Sequence, residues 1–119
     1  MPSSRAAKWF ADIVAAIDLI EVWRSEAADI GALLGDAKSQ SAIERQLLLI
    51  SEAAIRLHRI DGDITSRLPP EIDWPGVRGM GNVIRHRYDD LDIEILKDVL
   101  EGKLTSLKLA CERALKALP

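Results

Sequence analysis

Aromatic side chains are nearly missing from this sequence: one Phe, one Tyr and three Trp, 4% of the chain. A core must therefore be built from Leu, Ile, Val and Ala, a composition that suits helices packed on helices. There is a single cysteine, Cys111, which excludes an internal disulfide and fits a reducing cytosol. That cysteine and the two histidines have no metal-ligand spacing, so no metal site is expected. No glycine-rich phosphate loop follows a strand, because no stretch reads as strand. The N-terminal "MPSSRAAKWF" lacks the unbroken apolar run of a signal peptide, and no segment is apolar for long enough to span a bilayer. The expectation is a cytoplasmic protein with no cofactor and no membrane partner. A large excess of charge of one sign is missing too. With a net charge of −3, binding to nucleic acid would have to rest on a local basic patch.

What the chain does have is helical periodicity. Its 119 residues, 48% of them hydrophobic, suit one domain over 1–119, large enough for a core and small enough to gain from oligomerisation. After a cap at Ser3 or Ser4, Phe10, Ile13, Ile17 and Ile20 recur at spacings of three and four, widened by Trp9, Ala16 and Trp23. The pattern fades near "GALLGDAKSQS", which reads as a loop at Gly35 and Asp36. A second helix starts at Ser39 or Ser41, with Ile43, Leu47, Ile50, Ala54 and Leu57 as its stripe. Leu48 and Ile55 lie off that stripe, with Glu52 one turn from each, and the extra apolar width points to a second packing partner such as another subunit. "DGDI" and "RLPPEIDWPG" punctuate the chain before a third helix, capped by Asp73 with Pro75 in its first turn. Asp90 or Asp92 caps a fourth, with Leu96, Leu100, Leu107, Cys111 and Ala114 as its core line. The predicted architecture is an all-α, antiparallel, up-and-down bundle of four to five helices.

The third helix carries "VRGMGNVIRHRYDD". At about 100° per residue, Val77, Met80, Ile84 and Tyr88 share one arc and face the core. Arg78, Asn82, Arg85 and His86 fall together in the neighbouring arc, and Arg87 points elsewhere, into solvent. Guanidinium groups bind phosphate with paired hydrogen bonds, and an imidazole moves protons near neutral pH. Such a strip has the parts to attack an RNA phosphodiester without a metal. His86 would take the 2′-hydroxyl proton or protonate the leaving oxygen, an arginine would steady the charge on phosphorus, and Asn82 would orient His86 or contact the sugar. The plainer reading is a solvated helix face. Gly79 and Gly81 each cost a helix roughly 1 kcal/mol relative to Ala, so either something approaches the backbone closely there or the helix starts late. Glu52 has two readings, a half-exposed surface carboxylate or a partner for a strip arginine across a dimer. His58, near the end of helix two, suits the helix C-terminus through its charge.

"DWPGVRGMGNVIRHRYDDLDIEIL" resembles the signature region of the HepT-like toxins, a branch of the HEPN superfamily of small helical ribonucleases, and "QLLLISEAAIRL" resembles that family's second helix. The pair His86 and Tyr88 before an Asp-capped helix, with "RGMGN" upstream, carries most of the likeness. The resemblance implies a homodimer in which the motif helices line a shared cleft. It also implies a minimal nucleotidyltransferase antitoxin that adds AMP groups to Tyr88, blocking RNA from the strip. By the same resemblance the catalytic set is His86 with Asn82 and an arginine, and Arg78, Arg85 and Arg87 bind RNA phosphate. The family's arginine usually directly precedes the asparagine, where this sequence has Gly81. Arg78 lies one turn before that position and Arg85 adjoins His86. Either the role passes to one of them, or the protein is a catalytically degenerate HEPN module that scaffolds a nucleotidyltransferase.

Overall fold

A computed structural model describes residues 2–60, 72–86 and 93–118, with side chains from Arg5 onward. The helices are α1 (Pro2–Glu26), α2 (Ile30–Gly35), α3 (Ala37–Ile60), α4 (Trp74–His86) and α5 (Ile93–Asp98). A π-helical stretch, Val99–Lys103, then joins α5 to α6 (Leu104–Ala117). No strand occurs among the described residues, so the fold is all-α. Helix α1 packs against both α3 and α6, and α3 also carries α4.

The apolar stripes explain this packing. Phe10, Ile13, Ile17 and Ile20 of α1 meet Ile43, Leu47, Ile50, Ala54 and Leu57 of α3 and Leu96, Leu100, Leu107, Cys111 and Ala114 of the last arm in one buried cluster. Each fully buried Leu or Ile contributes about 1.5–3 kcal/mol, which lets aliphatic side chains replace the missing aromatics. Trp74 is buried in the same cluster, while Trp9 and Trp23 pack half-buried at its edge. The ring of Trp9 has Lys8 Nζ 4.1 Å from its centroid.

Local chemistry moves two of the expected helix boundaries. The chain breaks after Glu26, and Asp29 caps the separate short α2, its Oδ1 accepting from the Ala32 N–H at 2.7 Å. The loop expected at Gly35 and Asp36 is a single capping residue. Asp36 Oδ2 accepts from the Ser39 N–H at 2.9 Å and from the Ser39 hydroxyl at 2.6 Å. These bonds, led by the hydroxyl's, hold the Asp36 carboxyl below its usual pKa. Ser39, one of the two expected caps, thus serves the cap from inside the first turn. Asp73 caps α4 as its sequence indicates, accepting from the Gly76 N–H at 3.0 Å, with Pro75 in the first turn. The caps expected at Asp90 or Asp92, and the "DGDI" and "RLPP" stretches, lie outside the described residues.

The last arm has a feature no periodicity announces. Its ladder widens to π geometry at Val99–Lys103, where interrupted helical bonding leaves carbonyls needing donors. Arg24 of α1 supplies one, donating from Nη1 to the Leu100 carbonyl at 2.8 Å. Lys108 ties the same two arms together, with Nζ 2.7 Å from Asp18 and 3.4 Å from Glu21. The Asp18 bond is the main cause of its raised pKa.

Candidate functional site on the α3–α4 face

Helix α4 is unbroken from Trp74 to His86, so the helical register read from its sequence holds. Trp74 and Ile84 are buried, and Val77 and Met80 pack half-buried against the core. Arg78, Asn82, Arg85 and His86 fall on the outward side, Arg78 half-buried and the other three exposed. Among the described residues no carboxylate pairs with Arg78 or Arg85, which leaves both guanidiniums available to an anion. Tyr88 and Arg87 lie outside the described residues.

Beyond Gly76 in the capped first turn, the two remaining glycines of α4 do different things. Gly81 is buried against α3, and a Cβ built on it would stand 2.8 Å from Ser51 Oγ and 3.1 Å from Ser51 Cβ. Ser51 is fully buried and bonded on both sides of this contact. Its hydroxyl donates to the Arg78 carbonyl at 2.7 Å and accepts from the Gly81 N–H at 3.0 Å. A facing helix, not a ligand, therefore accounts for Gly81. Around Gly79 a Cβ would meet nothing within 4 Å, and nothing in the described structure explains that glycine.

The Ser51–Gly81 contact divides the helix pair into two sides. On the inner side, Leu47 lines an apolar cavity of about 330 Å³ together with Val77, Met80, Ile84, Leu96 and Leu107, and none of the four strip residues touches it. On the outer side, α4 presents the strip and α3 presents Arg45, Leu48, Glu52, Ile55 and Arg59, again at spacings of three and four. Leu48 and Ile55 are half-buried, and Arg45 and Arg59 are exposed. The two arginines were not singled out by the sequence reading, although their spacing with Leu48 and Ile55 was the available signal. Glu52 does not reach a strip arginine within the chain. It accepts from its own neighbour, Arg56 Nε, at 2.8 Å. The outer face thus gathers four arginines, namely 45, 59, 78 and 85, beside an apolar floor, in a protein whose net charge is negative, while the Arg56 guanidinium lies over the Trp9 ring of α1. Among the described residues no three of His, Cys, Asp and Glu converge as a metal site requires.

The family model described as ribonuclease HepT-like matches residues 13–114. The chain belongs to this family. The matched span contains the α3–α4 face and all of the strip. No match was found among curated proteins or among solved structures. No described helix of this HepT-like protein is long and apolar enough to cross a membrane.

Proposed function

We propose that this HepT-like protein is a cytoplasmic toxin that cuts RNA without a metal ion, using the outward strip of α4. The observation that carries the reading is the strip itself: two guanidiniums without a carboxylate partner among the described residues, an amide and an imidazole on one exposed helical face. In this mechanism the 2′-oxygen of a nucleotide attacks the adjacent phosphorus and the 5′-oxygen of the next nucleotide leaves, yielding a 2′,3′-cyclic phosphate and a free 5′-hydroxyl. His86 takes the 2′-hydroxyl proton or supplies the proton to the departing oxygen. Arg78 or Arg85 holds the non-bridging oxygens through the crowded transition state, with Asn82 orienting His86 or contacting the sugar. Arg87 adds a phosphate contact.

Two chains act together in this proposal. Leu48 and Ile55 form the apolar part of a homodimer surface that brings two strips to a shared cleft. A minimal nucleotidyltransferase acts as antitoxin by attaching AMP to Tyr88, whose added phosphate and base then compete with RNA for the arginines. The buried position of Gly81 favours a second reading, in which the protein no longer cuts and serves as a binding module for the transferase.

The deciding experiment is RNA cleavage by the purified protein in excess EDTA, beside His86→Ala and the double variant Arg78→Ala, Arg85→Ala. Cleavage that His86→Ala abolishes supports the nuclease. Inactivity of wild-type protein, shown by mass spectrometry to carry no AMP on Tyr88, supports the binding module. AMP found only away from Tyr88 after incubation with the transferase and ATP rules out the role given to that tyrosine.

A further inference from the structure

Ser51 carries the one buried hydroxyl among the described residues, set in a mostly aliphatic core. Burying a hydroxyl is unfavourable unless its hydrogen bonds are made, and here both are made to α4. An alanine would fill nearly the same space, so packing alone does not call for the oxygen. What the hydroxyl adds is direction. A smooth glycine surface lets two helices slide or rotate against each other, whereas bonds at 2.7 Å to the Arg78 carbonyl and 3.0 Å from the Gly81 N–H hold α4 at one height and one rotation. The residues held in this way are Arg78 itself and Asn82, the neighbour of Gly81. Gly81 is the counterpart that admits the oxygen, since a Cβ at that position would stand 2.8 Å from it.

We propose that Ser51 is a positioning residue for the RNA-contacting strip, setting Arg78 and Asn82 against the outer face of α3. The inference rests on the nuclease reading above and adds to it a residue that touches no substrate. Phosphoryl transfer is sensitive to placement, and a shift of about 1 Å can cost on the order of a hundredfold in rate. The effect of losing the hydroxyl therefore falls on kcat. Binding draws on all the arginines of the face and changes little.

The test compares wild-type protein, Ser51→Ala and a destabilised control, Ile13→Val, whose side chain is buried on α1 and is no part of the strip. All three are assayed well below their melting temperatures for kcat, for KM and for the Kd of an RNA whose 2′-hydroxyls are replaced by hydrogen and so cannot be cut. The expected result for Ser51→Ala is a kcat lower by about tenfold or more with Kd within about twofold of wild type, while Ile13→Val keeps both. A Ser51→Ala enzyme that melts earlier but turns over like Ile13→Val overturns the proposal and leaves the nuclease reading standing. A Ser51→Ala enzyme that loses RNA binding and kcat in parallel overturns it too, because that pattern marks a distorted fold. Wild-type protein that cuts no RNA while carrying no AMP on Tyr88 takes down the nuclease reading and this proposal together.

Discussion

Ser51 Oγ and the Gly81 N–H lie 3.0 Å apart, and this contact separates the core side of the α3–α4 pair from its basic outer side. Its steric consequence is measurable without any activity. In Gly81→Ala the gain in helix propensity, roughly 1 kcal/mol, is opposed by a Cβ placed 2.8 Å from the hydroxyl. Ser51 cannot move aside without giving up buried hydrogen bonds, each worth about 0.5–1.5 kcal/mol, and overpacking adds about 1–3 kcal/mol. Gly81→Ala is therefore expected to be net destabilising, by about 1 kcal/mol or more. Gly79→Ala, with open space around its Cβ, should stabilise by about 0.5–1 kcal/mol. Urea denaturation of the two variants checks both signs, and equal effects would dismiss the steric account.

The basic face has a salt signature. Each phosphate contact to a single strand contributes about 0.7 to the slope of log K against log salt. Arg78→Ala and Arg85→Ala should each weaken RNA binding and lower that slope by about 0.7. Filter-binding titrations across a range of salt concentrations measure it. A slope unchanged in both variants would remove the strip from the RNA interface.

Cys111 offers a pH test of the core. Burial, the largest cause, pushes its thiol up to about 12 from an ordinary 9.0. Above pH 9 the unfolded chain releases this proton and the folded one keeps it, so the unfolded state binds fewer protons and stability falls as pH rises. The contribution is fully present below pH 9 and is lost towards pH 12. Against Cys111→Ala, wild-type stability should fall more steeply in that window, by up to about 1.4 kcal/mol per pH unit. Native protein should also resist alkylation by iodoacetamide at pH 8 that proceeds readily in denaturant.

The outer stripe of α3 predicts association. Ile55 is half-buried and lies outside the core cluster, so a charge placed there should spare the fold. If the proposed dimer forms, Ile55→Glu is expected to keep its helical circular dichroism and to run as a monomer in light scattering at a concentration where wild-type protein is dimeric. A wild-type monomer at micromolar concentration would remove the shared cleft from the mechanism.

Sequence by itself determined the long helices, their buried stripes and the order of residues along α4, but not the short α2 that stands where a loop was expected. These follow from spacings of three and four, a local property that tertiary packing had only to respect, and so Phe10 to Ile20, Ile43 to Leu57 and Leu96 to Ala114 are buried as their periodicity requires. Tertiary structure decided the rest. The capping role of Asp36 was open because several polar residues compete near one boundary, and only the fold selects among them. The π stretch at Val99–Lys103 has no apolar period of its own, and the Arg24 donor that serves its Leu100 carbonyl comes from far earlier in the chain. Gly81 could equally have been a ligand approach or a helix contact. Ser51, thirty positions away, made it a helix contact. Such pairings join residues distant in sequence, and a one-dimensional pattern carries no record of which side chain will face which.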